Sequence, residues 1–518
     1  MDTKVLQQKV LDLAIRGKLV PQNPHDEPAS VLLERIRQQK QQMVRDGKLK
    51  VKDIQNDTII FVGEDNLHYE KFPNGNVKCI EDEIPFKLPK NWAWARLNTI
   101  TEVISDGDHQ PPPQTSSGVP FLVISNISSG KLSFKNTRFV DVEYFRQLPE
   151  TRKPRRGDLL FTVTGSYGIP VLVDTDDYFC FQRHIAIVRP CVISNRYIYV
   201  VFGSTYIRSI CDEMATGSAQ KTVSLATLRK LLIPVAPHNE QIQICKQTQI
   251  ALSIVNNISS DKEYLLNIIK KTKAKVLDLA IRGKLVPQNP DDESAAILLE
   301  RIRTKKEEST KQIKKESIIF QDKALSYYEK IGNEIKKIDD EIPFELPAHW
   351  IWCRGYSCFE GMERAKPQCD FFDYIDIDAI DNRLHRIKKA KHLSISDAPS
   401  RAIRAVKTGS VLFSLVRPYL ENIALIDQKH SNCIASTGFY VCNSNGVLHP
   451  EFMFFLMISG YVLNGLTQYM KGDNSPSISK ENIEGWLYPI PPLEEQKAIS
   501  SKLKSILSVL ENIENSLE

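Results

Sequence analysis

The chain has 518 residues, of which 42% are hydrophobic and 25% charged. This is the composition of a globular protein of about three or four domain-sized units, and it excludes a mainly disordered chain, a collagen-like fibre and a disulfide miniprotein. Lys and Arg outnumber Asp and Glu by 68 to 63, an excess that permits a nucleic-acid partner without demanding one.

The first residues, MDTKVLQQKVLDLAIRGKL, mix charges into an apolar pattern, so no signal peptide is expected. The most apolar stretch, 452–466, is shorter than the roughly 20 residues that a bilayer span needs. The ten cysteines contain no C-x-x-C pair, so they read as reduced thiols of a cytoplasmic protein and not as a zinc knuckle.

Residues 10–24, VLDLAIRGKLVPQNP, recur unchanged at 276–290. The match runs on, with DEPASVLLERIR at 26–37 returning as DESAAILLERIR at 292–303. A second block, EDEIPFKLPKNWAWARL at 81–97, returns as DDEIPFELPAHWIWCRG at 339–355. A third, LIPVAPHNEQ at 232–241, returns as LYPIPPLEEQ at 487–496. The chain is therefore a constant frame written twice, with a divergent insert in each copy: 92–234 and 350–489.

Helices follow from spacing. Residues 29–40 and 295–306 place apolar side chains on one face, and the nearby Lys and Arg read as a solvated face. The stretches 41–57 and 303–317 read as exposed connectors. After the third block, Ile244, Thr248, Ala251, Val255, Ile258, Lys262, Leu265 and Ile269 follow a heptad seam, predicting one helix over about 239–282 that stops at Gly283. The tail carries the same seam at Ile499, Leu503, Ile506, Leu510, Ile513 and Leu517. Residues 495–518 match the first half of the central helix and residues 1–17 its second half. The chain thus reads as a circle opened inside one repeat, and the two terminal half-helices are expected to meet beside the central helix.

In the inserts, strands are expected at 121–127, 159–163, 171–173 and 185–188, and at 374–380, 411–415, 423–426 and 438–441. Helices are expected near 197–214 and 450–469. GDLLFTVTGSYGIPVLVD (157–174) stands opposite GSVLFSLVRPYLENIALID (409–427), two hairpins whose loops differ: Thr164, Ser166 and Tyr167 against Arg417, Tyr419 and Glu421. One frame carrying two different loops suggests two readers of two targets.

The blocks LDLAIRGKLVPQNP-x-DE, EIPF-x-LP-x-x-W-x-W and P-x-x-P-x-x-EQ resemble the specificity subunit of type I restriction-modification systems, in that family's order and over essentially the whole chain; in the first closing block His238 and Asn239 replace Leu493 and Glu494. The resemblance implies an α+β fold: two globular α/β target recognition domains joined by two long antiparallel coiled-coil helical regions in a pseudo-twofold circular repeat. The implied division is a helical region and connector at 1–80, recognition domains at 81–235 and 339–490, a central helical region and connector at 236–338, and a closing helix at 491–518 that pairs with the N-terminus. It implies a non-catalytic subunit that reads a bipartite asymmetric site on double-stranded DNA. Two methyltransferase subunits and the restriction subunits are the implied partners, and they bind S-adenosylmethionine, ATP and Mg.

The residues agree with a reader that brings no chemistry of its own. There is no (N/D)-P-P-(Y/F) methyltransferase motif, no G-x-x-x-x-G-K-(S/T) loop and no H-E-x-x-H. A protein-interaction scaffold and a self-contained nuclease remain as rival readings. The expected DNA contacts are Ser166, Tyr167, Gln220 and Lys221 in the first insert, and Arg417, Tyr419, Lys471 and Asn474 in the second. Arg417 offers a fork for guanine, while Lys221 and Lys471 suit phosphate.

Overall fold

The structure is a computed structural model that describes residues 2–107, 112–217, 220–309 and 317–517. It divides into two compact units, Met1–Asp261 and Lys262–Glu518, each of mixed helix and strand.

In the first unit, α1 (Thr3–Ile15) starts on Asp2, whose carboxylate accepts the N–H groups of Lys4 and Val5. It ends at Gly17, whose φ of +64° only glycine adopts freely. That glycine also makes a close approach: a Cβ there would fall 2.4 Å from Pro89 Cγ. Gly283 does the same against Pro347, again at 2.4 Å. The repeated RGK turn thus packs on the repeated LP-x-x-W block, which explains why both blocks survive together in both copies.

After α2 (Ala29–Arg45), residues 58–80 fold as a three-stranded antiparallel sheet: β1 (Ile59–Val62), β2 (His68–Lys71) and β3 (Val77–Cys79). The sequence reading had nothing here but connector. Lys40, expected on a solvated face, is instead buried: its ammonium meets Asp57 at 2.7 Å and the carbonyl of Asn98 at 2.9 Å.

The first insert is closed at its base by the frame. Strand β4 (Ala93–Arg96), at its start, pairs antiparallel with β7 (Leu232–Val235), at its end. Between them, β5 (Leu159–Thr162) and β6 (Pro170–Leu172) form the predicted hairpin in a four-stranded sheet with Thr101–Asp106 and Ile185–Pro190. The helix expected near 197–214 is two helices, Asn195–Phe202 and Thr205–Met214. The break is at Ser204, whose buried hydroxyl donates to the carbonyl of Val201 at 2.6 Å.

Helix α3 (His238–Ile281) is one continuous element of 44 residues, within a residue of its predicted ends. In the first unit its opening half lies antiparallel to α1, with Gln7 bonded to Asn256 at 2.7 Å and Thr3 to Ser259 at 3.4 Å. Ile244, Thr248 and Val255 are buried as the seam requires. Leu265 is exposed and does not continue it; the seam passes through Leu266 and Ile269.

The second unit repeats the plan. Helix α4 (Ala295–Ser309) precedes a second small sheet, β8 (Ser317–Gln321), β9 (Tyr327–Ile331) and β10 (Glu334–Lys337). Of the expected connector 303–317, residues 310–316 lie outside the described residues. Strand β11 (Ile351–Arg354) pairs with β14 (Leu487–Ile490) to close the insert. The hairpin is β12 (Val411–Ser414) and β13 (Ile423–Leu425). The helix expected over 450–469 is again split, into Pro450–Met457 and Gly460–Thr467, at Ser459, which donates to the carbonyl of Leu456 at 2.6 Å. Helix α5 (Leu493–Leu517) meets the closing half of α3, where Lys273 pairs with Glu514 at 2.5 Å.

Candidate nucleic-acid interface

Each insert offers one composite tip, made of the hairpin loop and the loop before the closing block. In the first copy these loops are stitched by backbone bonds. Val223 N–H donates to Val163 O at 2.8 Å, and Gly165 N–H to Lys221 O at 3.0 Å, with bridges Thr164–Thr222 and Thr216–Thr222. In the second copy Ile478 N–H donates to Leu415 O at 2.9 Å and Arg417 N–H to Pro476 O at 2.8 Å, with bridges Val416–Ser477 and Lys471–Ser477. The same scaffold therefore brings together two loops that lie far apart in sequence, at matching places in both copies.

Seven of the eight sequence-picked residues stand exposed on these tips: Ser166, Gln220 and Lys221 on one, Arg417, Tyr419, Lys471 and Asn474 on the other. Residues 218 and 219 of the first tip lie outside the described residues. Tyr167 is the exception and is corrected. Its ring is buried under the Arg208 guanidinium, 5.0 Å from the ring centre, and its hydroxyl donates to Asp212 at 2.8 Å. Arg208 also donates to the Tyr167 carbonyl at 2.8 Å. Tyr167 therefore braces the tip from beneath, and only its neighbour Ser166 is presented outward.

Arg417 is both brace and candidate reader. One guanidinium nitrogen donates to the Asn474 carbonyl at 2.8 Å, which ties the two loops, and the side chain stays exposed. Its backbone is left-handed, at φ 48°, and Glu421 at the far end of the same turn is left-handed at φ 56°. Such strain in non-glycine residues concentrates where a side chain must be aimed. Arg417 lines a depression of about 760 Å³ with Arg401, Lys388, Tyr374, Asp376 and Asp378. Arg401 and Lys388 are exposed, and the sequence reading missed both. In the first copy it missed Arg183, exposed beside His184, whose carbonyl accepts Val163 N–H at 2.9 Å. The usable signal was that strand ends opposite a hairpin loop share its tip; the divergence between copies hid it.

The frame holds these tips through a buried carboxylate. Glu240 accepts the Trp92 indole N–H at 2.8 Å and the Gln22 amide at 2.5 Å; Glu495 accepts Trp350 at 2.8 Å and Gln288 at 2.6 Å. Burial pushes both carboxyls above the usual glutamate range, against the pull of those donors. The adjacent glutamines reach into the inserts: Gln241 accepts from Ser194 N–H at 3.1 Å and Gln496 from His449 N–H at 2.6 Å. All three repeated blocks meet at these two residues.

The family model for the type I restriction modification DNA specificity domain matches residues 404–518, which take in the second hairpin, the split helix pair and α5. The chain is 25% identical to the EcoAI specificity subunit of Escherichia coli, covering 97% of this chain and 89% of that one. It is likewise 25% identical to the Escherichia coli EcoEI specificity subunit, covering 99% and 91%. Over nearly its whole length the chain is thus similar to specificity subunits of type I restriction-modification systems. Its fold agrees with a chain from a solved type I system described for its complex assembly and conformational transition. That chain is 17% identical, with a TM-score of 0.51 over 84% of this chain and 94% of the other. Among the described residues, no group of three or more His, Cys, Asp or Glu is placed to hold a metal ion. No described helix is long and apolar enough to cross a membrane.

Proposed function

We propose that this chain is the non-catalytic DNA-recognition subunit of a cytoplasmic type I restriction-modification complex. Each insert reads one half of a bipartite asymmetric site on double-stranded DNA, and the helical regions set the separation of the halves and dock two methyltransferase subunits. Restriction subunits complete the complex. S-adenosylmethionine, ATP and Mg are bound by the partner subunits, and this chain contributes base selection.

The observation that carries this reading is the pair of composite tips. Both are built by the same backbone bridges, yet one presents Ser166, Gln220 and Lys221 and the other Arg417, Tyr419, Lys471 and Asn474. Equal scaffolds with unequal side chains are what two base readers with different targets require, because base edges are told apart by the donors and acceptors presented to them. The phosphate term comes from the lysines and makes affinity fall with salt.

The test is to express the chain with the methyltransferase encoded beside it and map adenine methylation in the host DNA. The expected sites share two short fixed sequences separated by a constant unread spacer. A single contiguous motif, or methylation independent of this chain, would overturn the reading. Purified chain with DNA and a divalent metal is expected to leave the DNA uncut; cleavage would favour the nuclease reading.

A further inference from the structure

The two small sheets each turn a buried ion pair inward and leave an apolar face outward. On the inner side Glu70 is buried against Arg96 at 2.7 Å and Thr58 at 2.6 Å, beside Ile60, which packs on the cluster of Ile80, Trp94 and Leu232; Glu329 is buried against Arg354 at 2.8 Å and Ser317 at 2.5 Å. Their outer faces are apolar and open. In the first, Ile59, Lys71 and Val77 form one cross-strand row and Phe61, Tyr69 and Cys79 the next. In the second the rows are Ile318, Lys330 and Ile335, then Phe320, Tyr328 and Lys337. Ile59, Phe61 and Val77 are 38%, 41% and 52% exposed; Ile318, Phe320 and Ile335 are 37%, 40% and 59% exposed. Each face carries a stacked pair with ring centres 5.9 Å apart, Phe61 on Tyr69 and Phe320 on Tyr328.

Four of the six outward positions are identical between copies, and a fifth is Val77 against Ile335. Solvent-facing positions of a drifted repeat have no packing reason to stay apolar, and a sheet edge and face of this kind is an association hazard unless it is covered. The inserts diverge where two different targets are read; these faces do not, so one and the same ligand meets both. Lys71 and Lys330 sit at the centre of the apolar row, exposed and with no ion-pair partner among the described residues, which leaves each ammonium open to an acidic group of the ligand. The outer surface of duplex nucleic acid is mostly phosphate and sugar, and its apolar thymine methyls and base faces lie in the grooves or the stack, so it supplies the anion but little apolar surface to cover a flat patch of Ile, Phe and Val. A second copy of this chain would set lysine against lysine.

We propose that each sheet face docks one copy of a single protein partner, whose contact surface is apolar with a carboxylate at its centre. Resting on the function proposed above, that partner is the methyltransferase subunit, held once by Ile59, Phe61, Tyr69, Lys71 and Val77 and once by Ile318, Phe320, Tyr328, Lys330 and Ile335. The docking surface thus lies on the sheets and is not confined to the long helices.

The experiment co-expresses the full chain with the neighbouring methyltransferase and counts bound subunits by native mass spectrometry. Phe61→Ser with Lys71→Glu tests the first face, Phe320→Ser with Lys330→Glu the second, and a combined variant both. The wild type is expected to carry two subunits, each half-variant one and the combined variant none, with affinity at the altered face down about tenfold or more. The single changes Lys71→Glu and Lys330→Glu alter only exposed side chains and are expected to weaken uptake while leaving the thermal melt unchanged. Two subunits retained on every variant at unchanged affinity would overturn the proposal. So would retained subunits with a loss of salt-dependent DNA affinity, which would assign the faces to nucleic acid. A wild type that takes up no subunit at all would instead sink the function proposed above.

Discussion

Trp92 donates its indole N–H to Glu240 at 2.8 Å, across the junction between the second and third repeated blocks, and Trp350 does the same to Glu495 at 2.8 Å. The bond closes the base of each insert beside the β4–β7 and β11–β14 pairs, so a recognition module is anchored by its own two ends.

Stability should therefore respond to these carboxylates in a pH-dependent way. Burial holds Glu240 and Glu495 above the glutamate value of 4.5, so the folded chain binds more protons than the unfolded one in the window above that value. Their contribution is fully present below the unfolded pKa and is lost as pH rises through the raised folded pKa. Glu240→Gln should flatten this part of the profile while still accepting from Trp92. Glu240→Ala should cost about 1–3 kcal/mol at any pH, because it leaves a buried indole N–H unpaired. Urea denaturation across pH 4 to 8 (about the range in which such a group titrates) would reveal a flat wild-type profile if the argument were wrong.

Gly17→Ala and Gly283→Ala should be worse than an ordinary glycine replacement. The left-handed backbone costs roughly 1–2 kcal/mol, and a Cβ placed 2.4 Å from the proline ring adds an overpacking penalty of about 1–3 kcal/mol. Gly47→Ala, also left-handed at φ +69° but with nothing within 4 Å, should show the first term alone. Equal losses at Gly17 and Gly47, measured by denaturant midpoint, would mean that the contact with Pro89 carries no energy.

The repeat, the length of α3 and the two hairpins were legible because long identical blocks and sustained periodicity leave a signal that tertiary contacts do not erase. Three features were not. The small sheets have strands of three to five residues, too short for a period to register, and the copies slip by one residue between Lys71/Lys330 and Val77/Ile335. The shift of the seam from Leu265 to Leu266 follows from helical geometry, since a helix of 3.6 residues per turn drifts off a 3.5-residue repeat. The burial of Tyr167 depends on Arg208 and Asp212, which come from a helix 41 and 45 residues away, so no local pattern announces it. At the tips, polar loop composition found the exposed residues; Arg401 and Lys388 escaped because they reach the second tip from elsewhere in a divergent insert.

Tyr167→Phe should separate support from readout. It removes the bond to Asp212, worth about 0.5–1.5 kcal/mol, or up to about 3 for a charged acceptor. Thermal stability should fall modestly while the first half-site keeps its bases. A changed half-site in methylation mapping would return Tyr167 to the contact surface.

Exchange of the first insert should alter one half-site only. The cut belongs inside the closing strands, replacing residues 97–231, so that β4 and β7 and the Trp92–Glu240 bond stay with the frame. Methylated sites should then keep the second half and the spacer while the first half changes. A change in both halves would show that the inserts do not read independently.

Arg417 gives the sharpest test of base readout. Its guanidinium is exposed, one of its nitrogens is spent on Asn474, and the others remain for a base edge. A bidentate contact to guanine discriminates by roughly 1–3 kcal/mol, or about 5- to 150-fold. Arg417→Ala should therefore relax one position of the second half-site by that factor and leave the first half-site untouched. Because the same change cuts the tie to Asn474 and leaves a left-handed alanine, Arg417→Gly serves as its control: it relieves the backbone at φ 48° and removes the fork equally. Both variants should lose the same discrimination, with the glycine form the better folded. If discrimination survives in Arg417→Gly while Arg401→Ala abolishes it, the base is read from the wall of the depression and Arg417 serves only to hold the loop.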